Sequence, residues 1–293
     1  MKLIVDSGST KTDWCFADSV SDYKSICTTG INPITLSANA IKEIIETQLM
    51  PAVLREEIDI ADIDEVFFYG AGCLPEKKFV MKDALQSIMK NVYIEVDSDL
   101  LAAARALCGR NAGIACILGT GSNSCIYDGR NIVGHTPALG YILGDEGGGA
   151  VLGRNFINGI YKGLLPEKLR EEFESSFSMT MSDIINRVYH SDAPNKFLAS
   201  IARFISLHIS ENAELENMVI ENFENFITKN IEPYYENHII SVHARPDKVI
   251  NAVGSIAYYY RHQLEQAVAR KGYSLGLVLK KPIGSLLNYH FIG

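Results

Sequence analysis

The stretch Gly119-Thr-Gly-Ser-Asn-Ser124 leaves the apolar run Ile114-Ala-Cys-Ile-Leu118 and leads straight into Cys125-Ile-Tyr127. Its simplest reading is strand, glycine turn, strand. Two glycines one residue apart, followed by hydroxyl and amide side chains, expose backbone N–H groups that can donate to a phosphate oxygen. The pattern recurs near the N-terminus as Leu3-Ile-Val-Asp-Ser-Gly-Ser-Thr-Lys-Thr12. A single Gly-x-Gly is satisfied by a tight hairpin with no ligand. Two such glycine turns in one chain, each followed by Ser, Thr or Asn, suggest two clips facing one nucleotide.

The turns also set the layout. Residues 2–5, 11–17 and 23–29 read as a β-meander. A Ser37-capped helix follows, with Ile41, Ile44, Ile45 and Leu49 at helical spacing. Next come a strand at 66–69 ending in Gly70-Ala-Gly72, a helix from Pro75 to about 90, a strand at 92–96 and a helix capped by Asp99. From Gly113 the order restarts, with strands near 114–118, 124–127 and 130–134 and a helix over about 147–163. Aligning Gly8 with Gly121 superimposes the two turns and implies an internal duplication. Residues 165–240 carry Leu169, Phe173, Phe177, Ile184, Phe197, Phe204, Val219 and Phe223 at helical spacing, a helical insertion whose aromatic stripes read as core. The sheet resumes at 248–253, runs through Gly254-Ser255 into a helix, and ends with a strand near 276–279 and a Pro282-initiated helix.

A chain of 293 residues exceeds one core and predicts two domains. Lys plus Arg number 27 against 35 Asp plus Glu, without a dense basic cluster, which argues against a nucleic-acid partner. The short apolar start and the lack of an 18-residue apolar run predict a cytoplasmic protein with no membrane partner. Six cysteines without a Cys-x-x-Cys pair read as buried thiols, and the seven histidines show no ligand spacing. P-loop, Rossmann, zincin and α/β-hydrolase signatures are missing.

What remains is a set of carboxylates beside turns. Asp6 either holds Mg²⁺, which takes one or two carboxylates plus phosphates and water, or caps its turn. Asp99 either caps a helix or, at the carboxyl edge of a strand, serves as a general base for phosphoryl transfer; Asp97 is its rival. Asp145 and Glu146, in Gly144-Asp-Glu-Gly147, either cap a helix or bind sugar hydroxyls. Gly254-Ser255 is either a plain strand-to-helix turn or a place where a nucleobase or ribose approaches the backbone.

Together, Asp6-x-Gly-x-Thr10, Asp99, Gly119-Thr-Gly-Ser-Asn123, Gly144-Asp-Glu-Gly147 and Val253-Gly-Ser255 resemble the actin-like ATPase superfamily, in particular its BadF/BadG/BcrA/BcrD branch and, within that, N-acetylglucosamine kinases. The resemblance implies an α/β fold of two ribonuclease-H-like domains with ATP–Mg²⁺ in a cleft between them. The domains would be 1–110, with a C-terminal helix over 281–293 packing back on it, and 111–280, which carries the insertion. It implies that Asp6, Gly8, Ser9, Thr10, Lys11 and Thr12 form the first phosphate loop, with Asp6 on the metal. Gly119, Thr120, Gly121 and Ser122 would form the second loop, and Gly254 and Ser255 the adenosine motif. Asp99 would activate the 6-hydroxyl of an N-acetylated amino sugar, and Asn32, Asn123, Asp145 and Glu146 would contact the sugar. Asp99-Leu-Leu-Ala-Ala103 lacks the glycine that follows the catalytic Asp in human-type kinases, which bears on which amino sugar is taken. A homodimer is common among similar kinases. Relatives also include ATPase activators of 2-hydroxyacyl-CoA dehydratases and benzoyl-CoA reductases, and a sugar sensor without turnover is the third expectation.

Overall fold

The computed structural model describes residues 1–8, 10–236 and 247–292. Ser9 and the expected end of the insertion at 237–240 lie outside the described residues. The chain divides into two compact units, one of residues 1–111, 129–131 and 281–293, the other of 112–128 and 132–280.

In the first unit β1 (Lys2–Ser7), β2 (Lys11–Ala17), β3 (Tyr23–Thr29), β4 (Glu65–Gly70) and β5 (Tyr93–Ser98) form one sheet in the order β3-β2-β1-β4-β5. The meander is antiparallel, while β1, β4 and β5 run parallel because helical segments connect them. Alternation assigns the faces. Leu3, Val5, Trp14, Phe16, Val66, Phe68 and Val96 join Ile41, Leu49, Met81 and Leu85 in a buried core. Asp6 lies on the opposite face, register-paired with Asp13 and Tyr69.

The helices Asp99–Cys108 and Ile283–Phe291 pack against each other, and both contact β1. His290 of the second stacks on Phe67, with centroids 3.9 Å apart, and its Nε2 lies 2.9 Å from the Tyr69 hydroxyl. Burial and the nearby Arg105, Lys2 and Arg110 push His290 down to about 3, so it packs as a neutral ring.

Two helix starts differ from the pattern. Pro75 sits in a turn in which the N–H groups of Lys77 and Lys78 donate to Leu74 O, a position that suits its fixed φ, and the helix begins at Lys78. The second is the Asp99 helix, whose N-cap is Ser98; its Oγ accepts from Leu101 N at 3.2 Å.

The second unit repeats the topology. β6 (Ala112–Leu118), β7 (Ser122–Asp128), β8 (Ile132–His135), β9 (Val249–Val253) and β10 (Ser274–Leu279) form the order β10-β9-β6-β7-β8. Each strand matches its counterpart in position and direction. The register aligns Gly8 with Gly119 and not with Gly121, because each donates its N–H back across its own turn, to Lys11 O at 3.0 Å and to Gly121 O at 2.9 Å. The helix Gly149–Tyr161 and helices between Glu167 and Phe226 cover this sheet. Phe156, Phe173 and Phe204 pack ring to ring at 5.4–5.6 Å, as core. Among the described residues no helix is long and apolar enough to cross a membrane.

Candidate active site

The carboxyl edge of the first sheet gathers the end of β1, the Gly70-Ala-Gly72 corner after β4, and Asp97 to Asp99 at the end of β5, the edge at which open α/β sheets present ligand groups. The two candidate bases have different partners. Asp97 is ion-paired to Lys78 Nζ at 2.5 Å. Asp99 is the first residue of its helix, relieved of capping by Ser98. Removal from water raises Asp99 to about 6, against the pull of the Leu100 and Asp99 N–H groups. An uncommitted carboxylate poised near neutrality is what a general base requires.

Asp6 is half-buried, and its carboxylate makes no side-chain hydrogen bond to a described residue. Burial, then the charges of Asp99 and Asp13, raise it to about 7, although Lys11 and Lys281 pull the other way. A carboxylate held this unfavourably attracts a cation. A single carboxylate in this setting is compatible with a hard cation that takes one protein oxygen and completes its shell with phosphates and water; among the described residues no group of three His, Cys, Asp or Glu side chains able to hold a metal occurs.

Lys11 is ion-paired to Asp13 at 2.6 Å, and Lys281 reaches the same carboxylate oxygen at 3.2 Å. Burial pushes Asp13 up, but the two lysines outweigh it and hold the acid below its usual range. Thr12, expected in the first phosphate loop, is fully buried: its hydroxyl lies 2.7 Å from Ser7 Oγ and donates to Thr29 O, which locks the turn from behind.

Asn32 is half-buried, and its Oδ1 accepts from Ile34 N at 2.9 Å. A backbone N–H can only donate, so the amide orientation is fixed and Nδ2 faces away as a donor. Gly72, at φ +74°, makes room for it; a Cβ there would lie 2.0 Å from Asn32 Oδ1.

In the second unit the Gly119 turn is braced by the helix after it. Gly149 N and Ala150 N donate to Gly119 O and Thr120 O at 2.8 and 2.9 Å. Within a trans peptide the N–H points opposite the C=O, so the N–H groups of Thr120 and Gly121 point away from that helix. Neither bonds a described residue. A Cβ at Gly119 would meet nothing within 4 Å. Protein packing does not demand glycine there, and two aligned, unused donors beside open space fit a phosphate oxygen.

The other two glycines of this region serve the protein itself. A Cβ at Gly121 would lie 2.6 Å from Asp145 Oδ2, and one at Gly254, φ +130°, would lie 2.2 Å from Leu118 O. Gly254 lets the β9 corner back onto the turn, a structural reason for a residue also expected to admit a nucleoside. Ser255, the next residue, is exposed.

Ser122 is buried, and its N–H donates to Asp145 Oδ1 at 3.2 Å, so it holds Asp145 and offers little to a phosphate. Asp145 takes the left-handed φ of +56°, an unusual backbone for a non-glycine residue. Desolvation raises its pKa. Glu146, expected as a sugar contact, also has partners within its own unit. Lys229 Nζ at 2.9 Å and Asn230 Nδ2 at 3.5 Å occupy it, and although burial pushes its pKa up, these partners outweigh that and lower it.

Asn123 Oδ1 accepts from Ser124 N at 2.9 Å and lies 3.0 Å from His135 Nε2, which again turns the amide nitrogen outward. His135, Gly72, Lys78 and Lys281 escaped the sequence reading. Gly72 was visible as a strand terminator; the other three carry no local signal.

No protein-family model matches the sequence. A curated N-acetylmuramic acid/N-acetylglucosamine kinase of Clostridium acetobutylicum is 25% identical over 220 residues, 70% of each chain. A solved structure from Chromobacterium violaceum, provisionally named an N-acetylglucosamine kinase, shares the fold at TM-score 0.68 and 14% identity, with 98% of each chain covered. Another, from Porphyromonas gingivalis and provisionally named in the same way, is 42% identical at TM-score 0.91, covering 99% of this chain and 98% of its own. At that identity over nearly the full length of both chains, this protein belongs to the N-acetylglucosamine kinase family of sugar kinases.

Proposed function

We propose that the protein transfers the terminal phosphoryl group of ATP to an N-acetylated amino sugar, with N-acetylglucosamine at its 6-hydroxyl as the first substrate, in a cytoplasmic setting. The observation that carries this reading is Asp99, a half-buried carboxylate freed of capping by Ser98 and unpaired where Asp97 is paired. Asp99 accepts the hydroxyl proton as the sugar oxygen attacks phosphorus. Little covalent work is left to the protein, and positioning with charge neutralisation supplies the rest.

For the donor, the N–H groups of Thr120 and Gly121 bind phosphate oxygens, Lys11 with the Gly8–Thr10 turn binds the phosphates at the end of β1, and Ser255 lies by the nucleoside. Mg²⁺ on Asp6 would neutralise charge on the phosphates when bound. For the sugar, Asn32 and Asn123 each offer an amide N–H to an acceptor, a hydroxyl lone pair or the acetamido carbonyl, and Asp145 accepts from a hydroxyl.

An iron–sulfur ATPase activator needs accessible thiolates at a shared interface. Cys15, Cys73, Cys116 and Cys125 are buried and Cys27 is the exposed one, which favours the kinase. A coupled ADP-release assay over N-acetylglucosamine, N-acetylmuramic acid, glucosamine and glucose tests the reading. Sugar-dependent ADP release with an N-acetylated sugar is expected; silence with all four would refute it.

A further inference from the structure

The Lys11–Asp13–Lys281 cluster holds one acid and two cations. Asp13 Oδ2 receives Lys11 Nζ at 2.6 Å and Lys281 Nζ at 3.2 Å. The acid is the enclosed member, with its side chain 13% exposed, whereas the lysine side chains are 46% and 51% exposed. Asp13 is the one carboxylate in ion-pair contact with either ammonium, Asp6 feeling both lysines only through space, so two cations share a single contacting acid beside the β1–β2 turn.

The burial asymmetry decides which partner can leave. An exposed ammonium loses little by swinging into water, but an enclosed carboxylate stripped of its cation is left desolvated and unpaired. If Lys11 alone faced Asp13, moving it to another anion would strand the acid. Lys281 removes that obstacle. It arrives from the far end of the chain, just before Pro282 and the helix Ile283–Phe291, which contacts both β1 and β2.

We propose that Lys281 is the standing counter-ion of Asp13 and thereby frees Lys11 to engage a nucleotide phosphate. This rests on the kinase reading for the presence of a phosphate ligand. Lys281 is on this view a positioning residue; it holds the acid, and Lys11 touches the ligand. The sequence conceals the arrangement because Lys281 stands 268 positions after Asp13.

The test is calorimetric binding of the non-hydrolysable ATP analogue AMPPNP with Mg²⁺ to the full chain, with no sugar and no turnover. Wild-type protein should bind. Lys281→Gln should weaken binding about tenfold, the scale of leaving an enclosed carboxylate without its partner, and Lys281→Arg should restore it to within about threefold. In an Asp13→Asn background the same Lys281→Gln change should cost less than about twofold, because no acid remains to be held.

An undiminished affinity for Lys281→Gln would overturn the inference. So would a tenfold loss that persists in the Asp13→Asn background, since Lys281 would then act on the ligand directly. Wild-type protein that fails to bind would refute the phosphate site and this inference together. Binding by the wild type with no Lys281 effect refutes the inference alone.

Discussion

Replacing Asp99 with asparagine separates catalysis from stability, because the structure predicts opposite signs for the two. The substitution keeps shape and an oxygen to accept from the Leu100 N–H, but removes the group that takes a proton. Loss of a general base lowers turnover by about 10²–10⁴-fold, or about 3–5 kcal/mol of barrier. Folding should move the other way. Raising the carboxyl from 3.8 to about 6 means that the native state binds more protons than the unfolded state between those values. Stability therefore falls as pH rises through that window, by about 3 kcal/mol, and stays low above it. Asp99→Asn relieves that penalty at pH 7.5.

The assay pairs steady-state ADP release from pH 5 to 8.5 with urea unfolding at pH 7.5. Wild-type kcat should rise with pH through a midpoint near 6, since the base works unprotonated. Asp99→Asn should lose at least a hundredfold in kcat while its urea midpoint holds or increases. Turnover within fivefold of wild type, or a marked drop in stability with activity retained, would refute the assignment and leave Asp99 as a structural residue.

The two glycines of the second turn should part company. Gly119→Ala has open space in the protein and should unfold like wild type while raising the ATP KM about tenfold or more, as a methyl group meets the phosphate. Gly121→Ala pushes on the Asp145 carboxylate and should raise the sugar KM more than the ATP KM, a split read from initial rates. His135→Phe removes the donor that orients Asn123 and should raise the sugar KM severalfold with little change in kcat, whereas His135→Gln, which can place a donor near the former Nε2, should recover most of it. Gly72→Ala suffers both a left-handed φ and a collision with Asn32. It should lose about 1–2 kcal/mol in chemical denaturation and bind sugar more weakly. A Gly72→Ala protein of unchanged stability would contradict the φ of +74°.

Local chemistry made much of the framework legible. Alternation and glycine turns located the strands, and helical spacing gave the insertion, because these depend on neighbours along the chain. The boundaries that shifted did so for equally local reasons. Pro75 fits a turn as well as a helix start, and Ser98 competes with Asp99 for the same cap. The sequence aligned Gly8 with Gly121 by residue type, whereas strand register pairs Gly8 with Gly119.

By itself, then, the sequence determined the repeated strand–turn–strand units and most of the polar residues placed beside them. Tertiary structure decided which of those residues are available. Asp97 is occupied by Lys78, Glu146 by Lys229, and Thr12 is sealed under its turn, while Asp99 and the N–H groups of Thr120 and Gly121 are left without such partners. Residue type and spacing show that a carboxylate or an amide is present. Whether it is already spoken for depends on partners brought near only by folding, such as Lys281 from the opposite end of the chain, and burial then sets the energy of leaving any of them unpaired.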